Sequence, residues 1–326
     1  MRGRSLAFRI ISACALLWLL TAAAAPAQDP GPRTGTIEIP FPEYKTYALL
    51  EVPPDYTDER ARPLLVGLHG SGDHARNYIG VWRDLARARG FLLAVPNGDA
   101  KASFHRDPQR TWSGRSVRYI LDLIGKIQKT YRVRQDRIYL TGFSAGASMT
   151  LYLGLKNPGV FDGLAPMAGV VLRQVTDEDL GKAAGLPVRL IVGKKDRAYR
   201  AVLLSAERLK KAGFKNLVLV EKPDLGHAYP LDEGPAVLTW FDTLFEKKMK
   251  DLGLDAWLAR GKAALEKGRY AEALKLLLKI RALGLQTKTG EAAEALLDRA
   301  EQKGFERLSE ADDAIRKRKY LKALDL

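Results

Sequence analysis

From position 46 onward, short apolar and β-branched runs alternate with longer stretches whose apolar residues recur every three or four positions. The runs 46–52, 64–68, 91–95, 138–141, 163–167, 188–193 and 217–220 read as strands. Residues 91–95 are apolar without a break, the pattern of a strand covered on both faces. Between them, 75–89 reads as a helix with Tyr78, Trp82, Leu85 and Ala86 on one side. The stretch 117–131 repeats the pattern with Ile120, Leu121, Ile124 and Ile127. Further helices are expected over 145–155, over 203–212 with Gly213 at the C-cap, and over 236–248. Such alternation predicts an α/β fold, a mostly parallel sheet with helices on both faces. Ligands in such folds bind beyond the carboxyl ends of the strands.

Both ends of the chain depart from this rhythm. At the start, Arg2, Arg4 and Arg9 precede an apolar run closed by Ala25-Pro26-Ala27, the layout of a secretory signal peptide over 1–27. A membrane anchor is the alternative, but the run is short for a span. Cys14 lies inside this run rather than at its end, which argues against a lipidation site. Cleavage after Ala27 leaves a mature chain without cysteine or disulfide, exported to a periplasm or the exterior. Asp29-Pro-Gly-Pro-Arg-Thr-Gly35 marks 28–40 as a linker, and 41–250 as the α/β domain.

After Leu252 strand signals vanish, and 251–326 reads as a small all-α extension. Leu254, Trp257, Leu258, Gly261 and Leu265 form one helical stripe, and Tyr270, Leu274, Leu277 and Leu278 another. Trp257, Gly261, Ala264, Tyr270 and Ala273 fall at tetratricopeptide offsets. Ala311, Ala314, Tyr320 and Ala323 echo them as a second copy, at a longer period than that repeat's. The tail is a candidate docking element for a protein partner. Beyond the leader, no segment is apolar and long enough to cross a bilayer. The net charge of +15 is spread along the chain without a nucleic-acid motif, so nucleic acid is not an expected partner.

The chemistry centres on Gly142-Phe143-Ser144-Ala145-Gly146, where a strand-like run meets a helical one. That context gives G-x-S-x-G its meaning: the serine stands on a tight turn, with helix-start N–H groups beside it. A serine hydroxyl needs an adjacent base. Of His69, His74, His105 and His227, only His227 follows Ser144, in a loop after the last strand, as the order nucleophile, acid, histidine requires. Asp196 closes the strand 188–193 between the two and is the expected acid; Asp224 is the rival, too close to His227 in sequence to orient it without strain. An oxyanion needs donors fixed in advance. The Ala145 N–H is one, and the Ser71 N–H in His69-Gly70-Ser71-Gly72-Asp73 is the other, with Gly72 in reserve. His69 is expected to shape that loop. Trp112 and Tyr229 are candidate walls for substrate.

With LHGSGD, GFSAGASMT, the GKKD turn and GHAYP, the chain from about Tyr44 to Phe245 resembles α/β-hydrolases of the secreted esterase and polyester-depolymerase type. Feruloyl-esterase-like and polyhydroxybutyrate-depolymerase-like enzymes are the most similar. Carboxylesterase/phospholipase and prolyl-oligopeptidase-like groups also share the marks. The resemblance implies the α/β-hydrolase fold, a Ser–Asp–His triad, no metal or cofactor, and a small-molecule or polymeric ester as substrate. Ala147 stands where many relatives have glycine, and the disulfides of many secreted relatives are missing. Two other readings stand beside it: a peptidase of the prolyl-oligopeptidase-like type, and a non-catalytic protein that acts through its helical tail.

Overall fold

The computed structural model describes residues 33–101, 110–282 and 288–316. The leader 1–27, with Cys14, lies outside them, as do His105, Tyr320 and Ala323. Eight strands form one sheet in the order β1-β2-β4-β3-β7-β8-β9-β10. These are β1 (Gly35–Phe41), β2 (Thr46–Val52), β3 (Arg62–Leu68), β4 (Leu92–Pro96), β7 (Val133–Phe143), β8 (Gly163–Met167), β9 (Val188–Gly193) and β10 (Leu217–Lys222). The short pair β5 (Ala100–Lys101) and β6 (Arg110–Thr111) stands apart. From β4 to β10 all the sheet's pairings are parallel, while β1 and β2 are antiparallel. This is the expected mostly parallel α/β-hydrolase-like sheet.

The edge strand β1, Gly35–Phe41, takes up the last six residues of the stretch expected as a linker over 28–40. It pairs along its whole length with β2, from Gly35 opposite Val52 to Phe41 opposite Thr46. Its side chains alternate half-buried and exposed, the two-residue period of a one-sided strand that Pro40 and the nearby glycine obscure. β7 likewise begins five residues before the expected 138, because Val133 is drawn into pairing with Arg62.

Helices α1 (Ala75–Ala88), α2 (Ser116–Thr130), α3 (Ala145–Lys156), α4 (Asp177–Ala183), α5 (Tyr199–Lys211) and α6 (Glu233–Asp251) cover the sheet. The sheet's central strands are buried on both faces: every residue of β3, β4 and β8 is buried. One core gathers the inner faces of α2, α3 and α5 on one side, and another those of α1 and α6. Trp82 and Phe241 are completely buried in the second.

The tail holds α7 (Leu254–Glu266), α8 (Tyr270–Ala282) and α9 (Lys288–Arg316). Leu254, Ala264 and Leu265 of α7 pack with Ala273, Leu277 and Ile280 of α8, and with Ala293, Leu297 and Ala300 of α9. Phe245 and Met249 of α6 join them. Leu278 points outward at 42% exposure, and Ile280 takes the buried place instead. The second copy does not repeat the hairpin among the described residues: α9 runs unbroken from Lys288 to Arg316 and includes Ala311 and Ala314.

Candidate active site

Ser144 stands where β7 hands over to α3, with φ 55° and ψ −116°. A non-glycine residue with positive φ is strained and persists only where its surroundings over-determine it. Here the Ser144 N–H donates to Met167 O at 2.8 Å, and the Ser144 carbonyl accepts from Ser148 N at 3.0 Å. The turn also demands glycine on both sides. A Cβ on Gly146 would lie 2.2 Å from Leu68 O, and one on Gly142 would lie 2.6 Å from Gly146 O. Helix and strand therefore meet closer than any side chain allows.

Three loops at the carboxyl ends of β7, β9 and β10 bring the polar groups together. Ser144 Oγ lies 2.9 Å from His227 Nε2. His227 Nδ1 lies 2.8 Å from Asp196 Oδ2. Asp196 Oδ1 accepts from the Ala198 N–H at 2.8 Å, so the carboxylate is held at both oxygens. Its side chain is fully buried, whereas the His227 ring is 27% exposed. The geometry suits a ring that carries its hydrogen on Nδ1 and offers a lone pair at Nε2 to the serine hydroxyl. The Lys195 N–H donates to Leu225 O at 3.0 Å and ties the acid loop to the histidine loop. Asp224 is solvent-exposed and pairs with Lys195 at 2.9 Å, away from the imidazole. Asp177 and Asp179 lie in α4, where Thr176 and Asp179 form a capping box.

The loop after β3 passes over Ser144. A Cβ on Gly70 would lie 3.7 Å from Ser144 Cβ. His69 is buried and shapes this loop as expected. Its Nδ1 lies 2.7 Å from Gly70 O, and its Nε2 accepts from the Gly98 N–H at 3.0 Å. Burial pushes its pKa down to about 4, so the ring is neutral and keeps one donor and one acceptor. A planar trans peptide points its N–H opposite its carbonyl. The His69 hold on Gly70 O therefore also sets the direction of the Ser71 N–H. Ser71 is exposed, and Ala145 opens α3, whose first-turn N–H groups have no intrahelical acceptor.

Trp112 Nε1 donates to His69 O at 2.9 Å, and the two rings lie 4.8 Å apart. The half-buried indole thus roofs the same loop. Tyr229 departs from its expected place: its hydroxyl is buried, and its ring packs with Tyr78 and Trp82 of α1 rather than opening toward substrate. Sequence reasoning also missed Asp99. This buried carboxylate accepts from Ser113 Oγ at 2.6 Å and Ser116 Oγ at 2.5 Å, anchoring the Trp112 loop to the β4 end. The Asn97-Gly98-Asp99 turn was the available signal, since such residues hydrogen-bond neighbouring backbone.

Residues 43–173 match the family model described as Putative esterase. Poly(3-hydroxyalkanoate) depolymerase C of Paucimonas lemoignei is 31% identical over 114 residues, covering 33% of this chain and 28% of that enzyme. The bifunctional acetylxylan esterase/xylanase XynS20E of Neocallimastix patriciarum is 29% identical over 113 residues, covering 33% and 16%. The chain thus spans less than a third of the length of either curated relative. Among solved structures, the S-formylglutathione hydrolase of Staphylococcus aureus superposes with a TM-score of 0.53 at 15% identity, over 64% of this chain and 97% of that one. The chain thus has an α/β-hydrolase-like fold, and its residues 43–173 are similar to putative esterases.

Proposed function

We propose that this protein is an exported serine esterase that hydrolyses carboxylic esters through an acyl-enzyme. The observation that carries the reading is the hydrogen-bonded relay Ser144–His227–Asp196. Ser144 Oγ attacks the ester carbonyl carbon while His227 Nε2 takes the hydroxyl proton. Asp196 holds the ring and stabilises the imidazolium. The carbonyl oxygen becomes an oxyanion between the N–H groups of Ala145 and Ser71. Collapse of this intermediate breaks the bond to the alcohol, which leaves with the proton from His227. Water then attacks the acyl-serine, gives its proton to His227, and releases the acid and Ser144. The esterase and depolymerase relatives support an ester as substrate, and Trp112 beside the loop supports an acyl or aryl group packed on its indole. The leader over 1–27 supports export. Ser144→Ala should lower hydrolysis of short-chain aryl esters by at least about 10⁴-fold and abolish labelling by a fluorophosphonate. Full activity in that variant would refute the assignment.

A further inference from the structure

The loop that carries His227 is short of support. Residues 223–228 are all exposed or half-buried, yet the imidazole must stay aligned on Ser144 Oγ. Tyr229 changes direction at the end of this stretch and sends its phenol inward. Its ring meets Tyr78 edge-on at 6.0 Å and Trp82 edge-on at 6.3 Å. Both belong to α1, the helix that starts directly after the Gly70–Asp73 loop. On its other side is Phe143, the residue before the nucleophile. Phe143 lies 5.9 Å from the Tyr229 ring and 5.2 Å from the His227 ring.

The hydroxyl is not what holds this cluster together. Tyr229 Oη is buried and has no hydrogen-bond partner among the described residues. Burial raises the phenol pKa values of Tyr78 and Tyr229, so both groups stay neutral. What remains is the shape and quadrupole of the rings. Edge-to-face aromatic contacts are directional, and an aromatic side chain has few torsions to freeze.

We propose that Tyr229 is a positioning residue for His227. Its ring, clamped by Tyr78, Trp82 and Phe143, sets the imidazole on the serine and joins the histidine loop to the helix that follows the oxyanion-side loop. The base and the oxyanion donors then move as one body. The inference rests on the esterase reading, and it assigns the ring, not the hydroxyl, the work.

Tyr229→Phe keeps the ring and should keep kcat within about twofold. Tyr229→Leu keeps an apolar side chain without the directional contacts. It should lower kcat about 10–100-fold, the usual scale for a misplacement near 1 Å, with KM changed by less than about twofold. A readout independent of turnover is the downfield proton resonance of His227 Nδ1–H bonded to Asp196. It should be present in wild type and Tyr229→Phe, and broadened or lost in Tyr229→Leu. If Tyr229→Leu does not fold by circular dichroism, Tyr229→Met fills the space with a flexible chain and reads the same split. Three results overturn the proposal: unchanged kcat and resonance without the ring, a rise confined to KM, or an equal loss in Tyr229→Phe. A wild-type protein that hydrolyses no ester yet shows the resonance would sink the esterase reading alone. The resonance in the variants would still decide the clamp.

Discussion

The sheet domain and the helical tail draw on the same apolar residue types but hold them differently. In the domain, neighbours in space are far apart in sequence: Leu64 pairs with Ile138, and Ser144 meets His227 across 83 positions. In the tail, α7 packs on α8 and α8 on α9, with α9 also reaching back to α7, all within some sixty positions. Its ion pairs are also short-range, such as Arg269 with Glu272. Loop ends brought together by a rigid sheet can hold three groups in register, whereas stacked neighbouring helices make a surface. The proposed chemistry accordingly belongs to the first region, and every residue of the Ser144–His227–Asp196 relay lies outside the tail's apolar cluster.

The sharpest test of this contrast lies inside the domain. Asp196→Asn should lower kcat by roughly 10³–10⁴-fold, because an amide at that place favours the wrong imidazole tautomer. Asp224→Asn, three residues from His227 but exposed, should change kcat by less than about twofold. Equal effects would mean that sequence proximity, not the sheet, chooses the acid.

Leu277→Ala tests the tail. Leu277 is fully buried among α7 and α9 side chains, so the loss should be about 2–5 kcal/mol, read as a lower denaturant midpoint for tail unfolding. Ester turnover under native conditions should stay within about twofold. A matching loss of kcat would show the two regions to be coupled.

A smaller effect concerns His69. Its folded pKa of about 4 lies below the unfolded value of 6.5, so between those pH values the unfolded chain binds more protons. Stability should therefore fall as pH drops through that window, by on the order of 2 kcal/mol between pH 7 and pH 5. His69→Gln should show a flatter change in urea midpoint over the same range. An unchanged slope would mean that the buried imidazole does not govern it.

Much of the domain was legible because its signals are local. Thr46–Val52, Gly163–Met167 and Val188–Gly193 are short, mostly apolar runs, and the structure forms strands over those residues. Gly142 and Gly146 around Ser144 announced a turn that only glycine can close. β1 was hidden because an edge strand buries only one side, and its proline and glycine read as a linker. Tyr229 could not be placed from its neighbours: a tyrosine two residues past a histidine can face substrate or core, and contacts with α1, about 150 positions earlier, decide which.

By itself, then, the sequence determined the alternation of strands and helices, the serine turn, and the order in which Ser144, Asp196 and His227 follow. These are set by side-chain periodicity and by backbone permissiveness, which neighbouring residues express. Tertiary structure alone decided which groups His69 braces, Gly70 and Gly98, and that Tyr229 turns inward; it also puts Asp196, the acid expected from the sequence, on His227. Each of those depends on which loops the sheet brings within a few ångströms, and strand pairing fixes that distance between residues that no local pattern connects.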